Sequence, residues 1–345
     1  MYRAIFVILL LLIFGVGVFW FQLKSMNQEI AEKNRIPYPV VMAHRGLSFY
    51  APEETLPAYL AAMELGKDLY LEADIQRTKD GVLICFHDKD LKRTTNIKDV
   101  FPDRVEEEIG NFTYKELMEL DAGSWFNEKF PDRARSSFKN TKILTLKELA
   151  QIAKQKPILG LYLETKLAHK YPGIEKEMIL LLLETGWISP EEVDLEALGN
   201  PPIQSKSQPS QSAKYAKVIL QSFEIESVKQ FKKYAPKVPR VFLVDEEAEK
   251  EHQGFANLIR ITKELGAHLG ASGYLGYPWN QYRALKEGIL VHHYTINQPF
   301  QMILLHWFGS SGIFTDKAEM ALEFFYPETY KEISIPKILT SLGYE

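Results

Sequence analysis

Along the sequence, short apolar runs of strand length alternate about eight times with stretches whose apolar residues have helical spacing. The first unit is Val40 to Ala43 followed by Leu56 to Leu65, and the last is "GIFTD" (312–316) followed by Lys317 to Phe325. Alternating strands and helices favour right-handed βαβ units and a parallel sheet. Eight units predict an α/β fold of the closed (β/α)8 TIM type rather than an open sheet. The run Val82 to Phe86 follows an Asp-Gly turn and predicts an extra hairpin strand.

Residues 89–142 interrupt this pattern. They are too long for a barrel loop and contain no clear strand–helix unit, so they predict an insertion after the second strand unit, over the strand ends. We assign residues 39–330 to the barrel and 331–345 to a C-terminal tail. The expected packing residues of the insertion are Trp125, Phe126, Phe130 and Phe138.

The N-terminal segment is predicted to cross a membrane. Residues 4–21 carry no charge, and this run reaches the lower length limit of a spanning helix. No small-residue cleavage site follows, so an uncleaved membrane anchor formed by residues 1–23 is favoured rather than a removed signal peptide. Arg3 and Lys24 flank the run, and this slight charge bias predicts an extracytoplasmic (periplasmic or extracellular) location for the rest of the chain. Residues 24–38 are interpreted as a polar tether.

Charge and cysteine content exclude some classes of function. The formal net charge of −4 gives no basic footprint for nucleic acid. Cys85 is the only cysteine, so an intrachain disulfide and a cysteine-rich metal site are both excluded. Any chemistry must therefore rest on histidine, carboxylate and basic side chains.

Charged side chains collect where the predicted strands end. They are His44 and Arg45 after the first strand, Glu72 and Asp74 on the second, His87 after the hairpin strand, and Glu164 and Lys166 on the third. The carboxyl ends of barrel strands meet at one face, so these groups are expected to form one site. Three unpaired carboxylates would repel one another there, and a divalent cation removes that cost. Oxygen ligands without cysteine suit Ca²⁺ or Mg²⁺ rather than Zn²⁺.

This set of side chains predicts phosphodiester cleavage. Arg45 and Lys166 supply positive charge for a phosphate, Arg through a planar fork and Lys as a point charge. His44 and His87 can divide the roles of general base and general acid, because imidazole titrates near neutral pH. The sequence contains no nucleophile elbow, P-loop or Rossmann glycine pattern.

Four motifs resemble the signature of the glycerophosphodiester phosphodiesterase family: "HRG" (44–46), "PEET" (52–55), "LEADIQRTKDG" (71–81) and "FHD" (86–88). Weaker similar stretches continue in the expected order to about residue 326. "LKRTTNIKDVFPDR" (91–104) is most similar to the periplasmic, calcium-using branch.

The resemblance implies a barrel fold and a role for each site residue. It implies His44 as general base, His87 as general acid, Glu72, Asp74 and Glu164 as metal ligands, and Arg45, Lys166 and Glu53 as substrate-binding residues. Glu54 departs from the family's Pro-Glu-Asn-Thr, and we interpret it as a substitution at the rim of the site. Tyr294, where many relatives have Trp, keeps an aromatic wall.

The leading hypothesis is metal-dependent hydrolysis of a small glycerophosphodiester to sn-glycerol 3-phosphate and an alcohol, with one divalent cation, Ca²⁺ or Mg²⁺. Direct hydrolysis and a cyclic phosphate intermediate are both open. A second hypothesis is lysophospholipase D-type cleavage, motivated by the anchor and the aromatic residues of 125–138. A non-catalytic module for phosphate ligands is a third, which the complete set of catalytic side chains disfavours.

Overall fold

The chain forms a closed barrel of eight parallel strands. The computed structural model describes residues 2–202 and 214–345; within the first helix, the side chains of residues 3, 4 and 7–13 lie outside the description. The barrel closes because β1 pairs in parallel with both β2 and β9, while β3 pairs antiparallel with β2. The predicted (β/α)8 barrel and its hairpin strand are confirmed. The strands are β1 Val40–Ala43, β2 Leu69–Arg77, β3 Leu83–Cys85, β4 Gly160–Thr165, β5 Val218–Ser222, β6 Arg240–Val244, β7 His268–Ser272, β8 Val291–Tyr294 and β9 Gly312–Thr315.

Helices surround the barrel, and local sequence signals set several of their ends. At the start of α6, the Thr145 hydroxyl accepts a hydrogen bond from the Glu148 backbone, and the Glu148 carboxylate accepts one from the Thr145 backbone. This capping box satisfies two backbone donors that a helix start leaves free. The helices are α1 Tyr2–Lys33, α2 Leu56–Glu64, α3 Ile97–Val100, α4 Tyr114–Leu117, α5 Ser124–Lys129, α6 Leu146–Ile152, α7 Ile174–Glu184, α8 Ile225–Tyr234, α9 Glu246–Glu251, α10 Phe255–Leu265, α11 Pro278–Lys286, α12 Pro299–Trp307, α13 Ala318–Phe325 and α14 Ile335–Ser341.

Large aromatic side chains fill the inside of the barrel. Tyr70, Tyr162 and Phe314 are fully buried there, with ring centroids 6.2 Å apart for the two tyrosines and 5.0 Å apart for Tyr162 and Phe314. Both pairs meet edge to face, a geometry that aromatic rings favour. The inside of the barrel is therefore a packed core.

The C-terminal half of α1 closes the barrel at the end opposite the carboxyl ends of the strands. Leu23, Asn27 and Ala31 are buried. The Asn27 amide donates to the Gly309 carbonyl at 2.9 Å, and the Ser311 hydroxyl donates to Asn27 Oδ1 at 2.5 Å. The prediction of a polar tether over residues 24–38 is therefore wrong, because α1 continues to Lys33 and its inner face belongs to the core.

The predicted membrane-spanning run lies in the N-terminal half of α1. Of residues 4–21, residue 4 and residues 7–13 lie outside the described side chains. Within the part of the chain that the structure describes, no helix has the length and apolar character needed to cross a membrane. The predicted transmembrane helix is thus not supported.

The segment over residues 89–142 contains α3, α4 and α5, and its predicted packing residues belong to the main hydrophobic core of the protein. Phe126 and Phe138 are fully buried, with ring centroids 5.7 Å apart, and Trp125 and Phe130 pack beside them half-buried. Residues 331–345 contain α14 and lie against this segment, where the Ser137 backbone donates to the Glu345 carbonyl at 3.0 Å.

Candidate active site

The carboxyl ends of the strands surround a cavity of about 110 Å³. Seven of the eight predicted site residues line it, and the eighth, Glu53, contacts the lining residue Arg45. A groove of about 510 Å³ continues from the cavity past Leu167, Phe223 and Glu224. The lining includes His44, Arg45, Glu72, Asp74, His87, Glu164, Lys166, Gln221, Phe223 and Tyr294.

An acidic cluster lies at the base of this cavity. Glu72 and Asp74 are two residues apart on β2, so both side chains point to the same side of the strand. Carboxylate oxygens of Glu54, Glu72 and Asp74 lie within 4.8 Å of one another, and all three residues are buried. The cluster therefore contains a member that the sequence did not predict.

Glu54 reaches the cluster from the loop after β1. Its backbone is left-handed, with φ of +59°, and only 3% of the residue is exposed. One carboxylate oxygen accepts from the Asp74 backbone at 2.9 Å, and the other accepts from the Tyr59 hydroxyl at 2.5 Å. The interpretation of Glu54 as a rim substitution is therefore wrong.

Glu164, the predicted third ligand, is joined to the cluster through a lysine. Lys166 Nζ lies 2.6 Å from Glu164 Oε1 and 3.3 Å from Asp74 Oδ1. Glu164 and Lys166 are two residues apart around the end of β4, which directs both side chains into the cavity. The structure thus brings all three predicted ligands together.

Burial and like charges shift the pKa values of these carboxyl groups. Burial raises the pKa of Glu54 and Glu72 well above the usual range, and the neighbouring charge of Asp74 raises both further. Burial also raises the pKa of Glu164 to about 8, although Lys166 opposes the shift. Burial raises the pKa of Asp74 as well, but Lys166 and the adjacent guanidinium outweigh it, and the net pKa falls below the usual range. The cluster therefore holds more carboxyl groups than the neighbouring cations can stabilise as anions.

Two buried oxygens make the cluster suitable for a divalent cation. Asp74 Oδ2 lies 3.1 Å from Arg45 Nε, yet the pair lacks hydrogen-bond geometry, and this oxygen has no hydrogen bond to any described residue. Gln221 donates to Glu72 at 3.2 Å, while its own Oε1 has no hydrogen-bond partner in the described part of the chain. Carboxylate and amide oxygens are the ligands that Ca²⁺ prefers, and carboxylates suit Mg²⁺. The residues present therefore fit a bound divalent cation.

Ion pairs fix the arginine of the predicted phosphate site. The Arg45 backbone donates to Glu72 at 2.8 Å, and its guanidinium donates to Glu53 at 2.8 Å. Arg93 binds the same Glu53 carboxylate through two nitrogens, at 2.6 and 2.7 Å. Burial raises the pKa of Glu53, but hydrogen bonds to Arg93 and Arg45 and the charges of both arginines outweigh it, and the net pKa is lowered. Glu53 thus orients Arg45.

Each histidine of the cavity contacts a carboxylate through Nδ1. His44 Nδ1 lies 2.7 Å from Asp316 Oδ1, and His87 Nδ1 lies 2.7 Å from Asp88 Oδ1. Arg93 holds Asp88 with a hydrogen bond of 2.6 Å. Burial lowers the pKa of His87, although Asp88 opposes the shift. Because a carboxylate accepts at Nδ1, Nε2 of each ring is the nitrogen that can exchange a proton with a ligand.

Asp316, which contacts His44, and Asn297 lie just after β9 and β8, and Ser48 lies in the loop after β1. Asn297 Nδ2 donates to Asp316 Oδ2 at 2.6 Å, and the Ser48 hydroxyl donates to Asp316 Oδ1 at 3.0 Å. The polar ends of β8 and β9 were a signal for Asn297 and Asp316, but nothing in the sequence assigned either residue to His44.

Comparison with known proteins decides the family. Residues 44–320 match the profile of the glycerophosphoryl diester phosphodiesterase family. The chain belongs to this family. A glycerophosphodiester phosphodiesterase of Bacillus subtilis (strain 168) is 31% identical over 318 residues, which cover 91% of this chain and 96% of that protein. The resemblance inferred from the sequence is confirmed, and the family is one of phosphoric diester hydrolases; the calcium-using branch stays a prediction.

Solved structures of similar proteins agree with the barrel. A phosphodiesterase of Oleispira antarctica, in complex with the product sn-glycerol-3-phosphate, has a TM-score of 0.60 and 24% identity, covering 84% of this chain and 97% of that chain. A glycerophosphodiester phosphodiesterase of Agrobacterium tumefaciens has a TM-score of 0.55 and 21% identity, covering 81% and 97%.

Proposed function

We propose that this protein hydrolyses glycerophosphodiesters to sn-glycerol 3-phosphate and an alcohol. The main observation behind the proposal is that one cavity contains two histidines, each hydrogen-bonded to a carboxylate, together with Arg45 and Lys166. The product bound to the Oleispira antarctica phosphodiesterase supports the same reaction.

His44 is the general base in this proposal. In the neutral ring, Nδ1 donates to Asp316, and Nε2 is then the nitrogen that can take a proton from the attacking oxygen, either water or the 2-hydroxyl of the substrate. Asp316 acts through His44 and is therefore a positioning residue.

His87 is the general acid. Asp88 fixes its ring through Nδ1, and Nε2 of the imidazolium protonates the oxygen of the departing alcohol. A leaving group that is stable as an anion, such as p-nitrophenolate, needs little of this protonation.

Arg45 and Lys166 bind the phosphate and stabilise the negative charge that grows on it during the reaction. Both are largely buried, and a low-dielectric surrounding strengthens their attraction for an anion. Glu53 keeps the Arg45 guanidinium in place, so its effect on the substrate is indirect.

Glu72 and Asp74 are the proposed carboxylate ligands of one divalent cation, Ca²⁺ or Mg²⁺. Either Glu164 or Glu54 completes the set, since both carboxylates lie beside Asp74. When bound, the cation supplies positive charge to the phosphate oxygens.

The test is turnover of the purified full-length protein on glycerophosphocholine, with and without a chelator. We expect His87→Ala to lose about 10²- to 10⁴-fold of kcat/KM on this substrate and to recover most of it on a p-nitrophenyl phosphodiester. His44→Ala should lose activity on both, because its proton comes from the attacking oxygen. Equal losses of both variants on both substrates would overturn the two roles, and absence of turnover in the metal-loaded wild type would overturn the reaction.

Lysophospholipase D-type cleavage is the second candidate. The groove of about 510 Å³ and the exposed ring of Phe223 give room and apolar contact for an acyl chain. Lysophosphatidylcholine turned over faster than glycerophosphocholine would favour this candidate.

An extracytoplasmic location of the barrel is also proposed. It rests on the charge-free residues 4–21 and their flanking charges alone. Protease accessibility in intact cells and the N-terminal sequence of the mature protein test it; full protection from protease would contradict it.

A further inference from the structure

Helix α12 presents apolar side chains to solvent. Phe300, Ile303, Leu304 and Trp307 are between 45% and 65% exposed, and their spacing of three and four residues places them on one face. Met302 and Leu305, on the opposite face, are buried. The helix is therefore apolar on the side that packs on the barrel and also on the side that faces outward.

Other outer helices of the same barrel have polar outward faces. On α8 the exposed residues include Glu226 and Lys229, and on α10 they include Arg260 and Glu264, paired at 2.8 Å. A surface helix normally turns its charged side to water. The outward face of α12 is thus suited to a partner that is not water.

The apolar face of α12 is continuous with two neighbouring segments. The loop after β7 packs on α12 through Gly276, where an added Cβ would lie 2.2 Å from Leu305. Tyr274 in this loop and Trp279 at the start of α11 are both exposed. Trp20 of α1 lies against Trp307, with ring centroids 4.9 Å apart. We call this surface the aromatic flank: Tyr274, Trp279, Phe300, Ile303, Leu304 and Trp307.

The aromatic flank lies in a part of the chain that is nearly free of acidic residues. Residues 273–315 contain a single acidic residue, Glu287, in a protein with 45 acidic residues among 345. Glu287 is paired with Lys263 at 2.6 Å. Arg283 and Lys286 on α11 are exposed, and Lys24 lies 5.3 Å from the Trp20 ring. An apolar surface with a basic border is complementary to an anionic lipid surface.

We propose that the aromatic flank docks this protein onto an anionic lipid surface. Tyrosine and tryptophan combine an apolar ring with a polar tip and are enriched at membrane interfaces. The basic border favours anionic lipid over a second copy of the chain, because two copies would bring their positive charges together. The proposal is independent of the phosphodiesterase reaction.

The experiment places a fluorescent probe on the aromatic flank of the full-length protein. Ile303→Cys is labelled with an environment-sensitive fluorophore, and Lys229→Cys on the outward face of α8 is the matched control. Cys85, the only native cysteine, is 1% exposed, so the label attaches to the introduced residue. Leu304→Cys is a second flank position, and the thermal unfolding of each labelled variant checks that it is folded.

The variants are mixed with vesicles of phosphatidylcholine and phosphatidylglycerol that carry nitroxide groups on their acyl chains. We expect the probes at 303 and 304 to shift to shorter wavelength and to lose at least about half of their intensity, because an interfacial apolar face enters the acyl boundary. The probe at 229 should not change.

Several results would overturn the proposal. One is that the probes at positions 303 and 229 show the same wavelength shift and quenching although the protein sediments with the vesicles, because a segment other than the aromatic flank would then bind the lipid. Failure to sediment with vesicles at all is a second. A shift at 303 that grows with protein concentration without vesicles would assign the flank to a second copy, and equal quenching on phosphatidylcholine alone would remove the requirement for anionic lipid.

Discussion

Replacement of Asp316 by Asn tests how His44 is oriented. Asp316 Oδ1 accepts from His44 Nδ1 at 2.7 Å, and its Oδ2 accepts from Asn297 Nδ2 at 2.6 Å. Asn297 cannot reverse its amide, because its Oδ1 already accepts from the Thr315 hydroxyl at 3.1 Å and from the Asp316 backbone at 2.9 Å. The NH₂ group of Asn297 therefore faces residue 316 in the variant as well.

The fixed orientation of the Asn297 amide determines how the new amide at position 316 is oriented. If the NH₂ of Asp316→Asn faced Asn297, two donors would oppose each other and leave groups unsatisfied, at about 1–3 kcal/mol. If it faces His44, the imidazole avoids the conflict by accepting at Nδ1 and moving its proton to Nε2. The ring then cannot take a proton at Nε2. We expect kcat/KM to fall about 10²- to 10⁴-fold, the value of general base catalysis, with little change in KM because Arg45 and Lys166 are untouched.

A double variant distinguishes the change of His44 tautomer from other effects of the Asp316→Asn substitution. In Asp316→Asn with Asn297→Asp, the carboxylate at 297 accepts from the amide at 316, so the amide oxygen again faces His44. Steady-state kinetics on glycerophosphocholine should show the double variant recovering at least about tenfold over the single one, since the general base is restored. A single variant with wild-type kcat/KM, or a double variant no better than the single, would refute this account of His44.

Three further predictions follow from the cluster and the barrel base. Glu54→Gln should weaken divalent-cation binding about 10- to 100-fold in titration calorimetry, as the loss of a group that supports a metal site does. If Glu54→Gln binds the cation as tightly as the wild type while Glu164→Gln binds it more weakly, Glu54 is not part of the metal site. Without metal, the free energy of unfolding should fall as pH rises from 4.5 to about 8, because Glu164 keeps a proton in the folded protein that the unfolded chain releases. Added cation should make the urea midpoint nearly independent of pH in this range. A urea midpoint that is independent of pH without metal would contradict the raised pKa of Glu164. Asn27→Leu should lower the unfolding free energy by about 1–3 kcal/mol in urea titrations, since its buried partners lose their hydrogen bonds; an unchanged midpoint would mean that α1 is not a stabilising part of the barrel.

The barrel and most of its site were predictable because they depend on periodicity. Alternating strands and helices define the closed sheet, and the closed sheet places every carboxyl strand end on one face. The approach of Asp316 to His44 depends on register: Ala43 pairs with Thr315 across β1 and β9, which places the next residues side by side. Sequence gives the order of strands but not this register.

Glu54 and α1 could not be predicted for a different reason. Loop residues have no period, so the inward direction of Glu54 follows from its left-handed backbone and from its bond to the Asp74 backbone, both of which require the folded chain. In α1, hydrophobicity favoured an anchor and polarity favoured a tether. Asn27 is polar yet buried, and two of its hydrogen-bond partners lie 282 and 284 residues away in the sequence.

The large sequence separation between Asn27 and its partners Gly309 and Ser311 affects how the chain folds during synthesis. The half of α1 that closes the barrel leaves the ribosome before any strand of the barrel, whereas Gly309 and Ser311 follow β8 and emerge only just before β9. The base of the barrel therefore stays open until β9 has emerged, and only then can α1 shield its apolar inner surface. Nascent chains that stall before residue 309 should accordingly engage chaperones far longer than the finished protein.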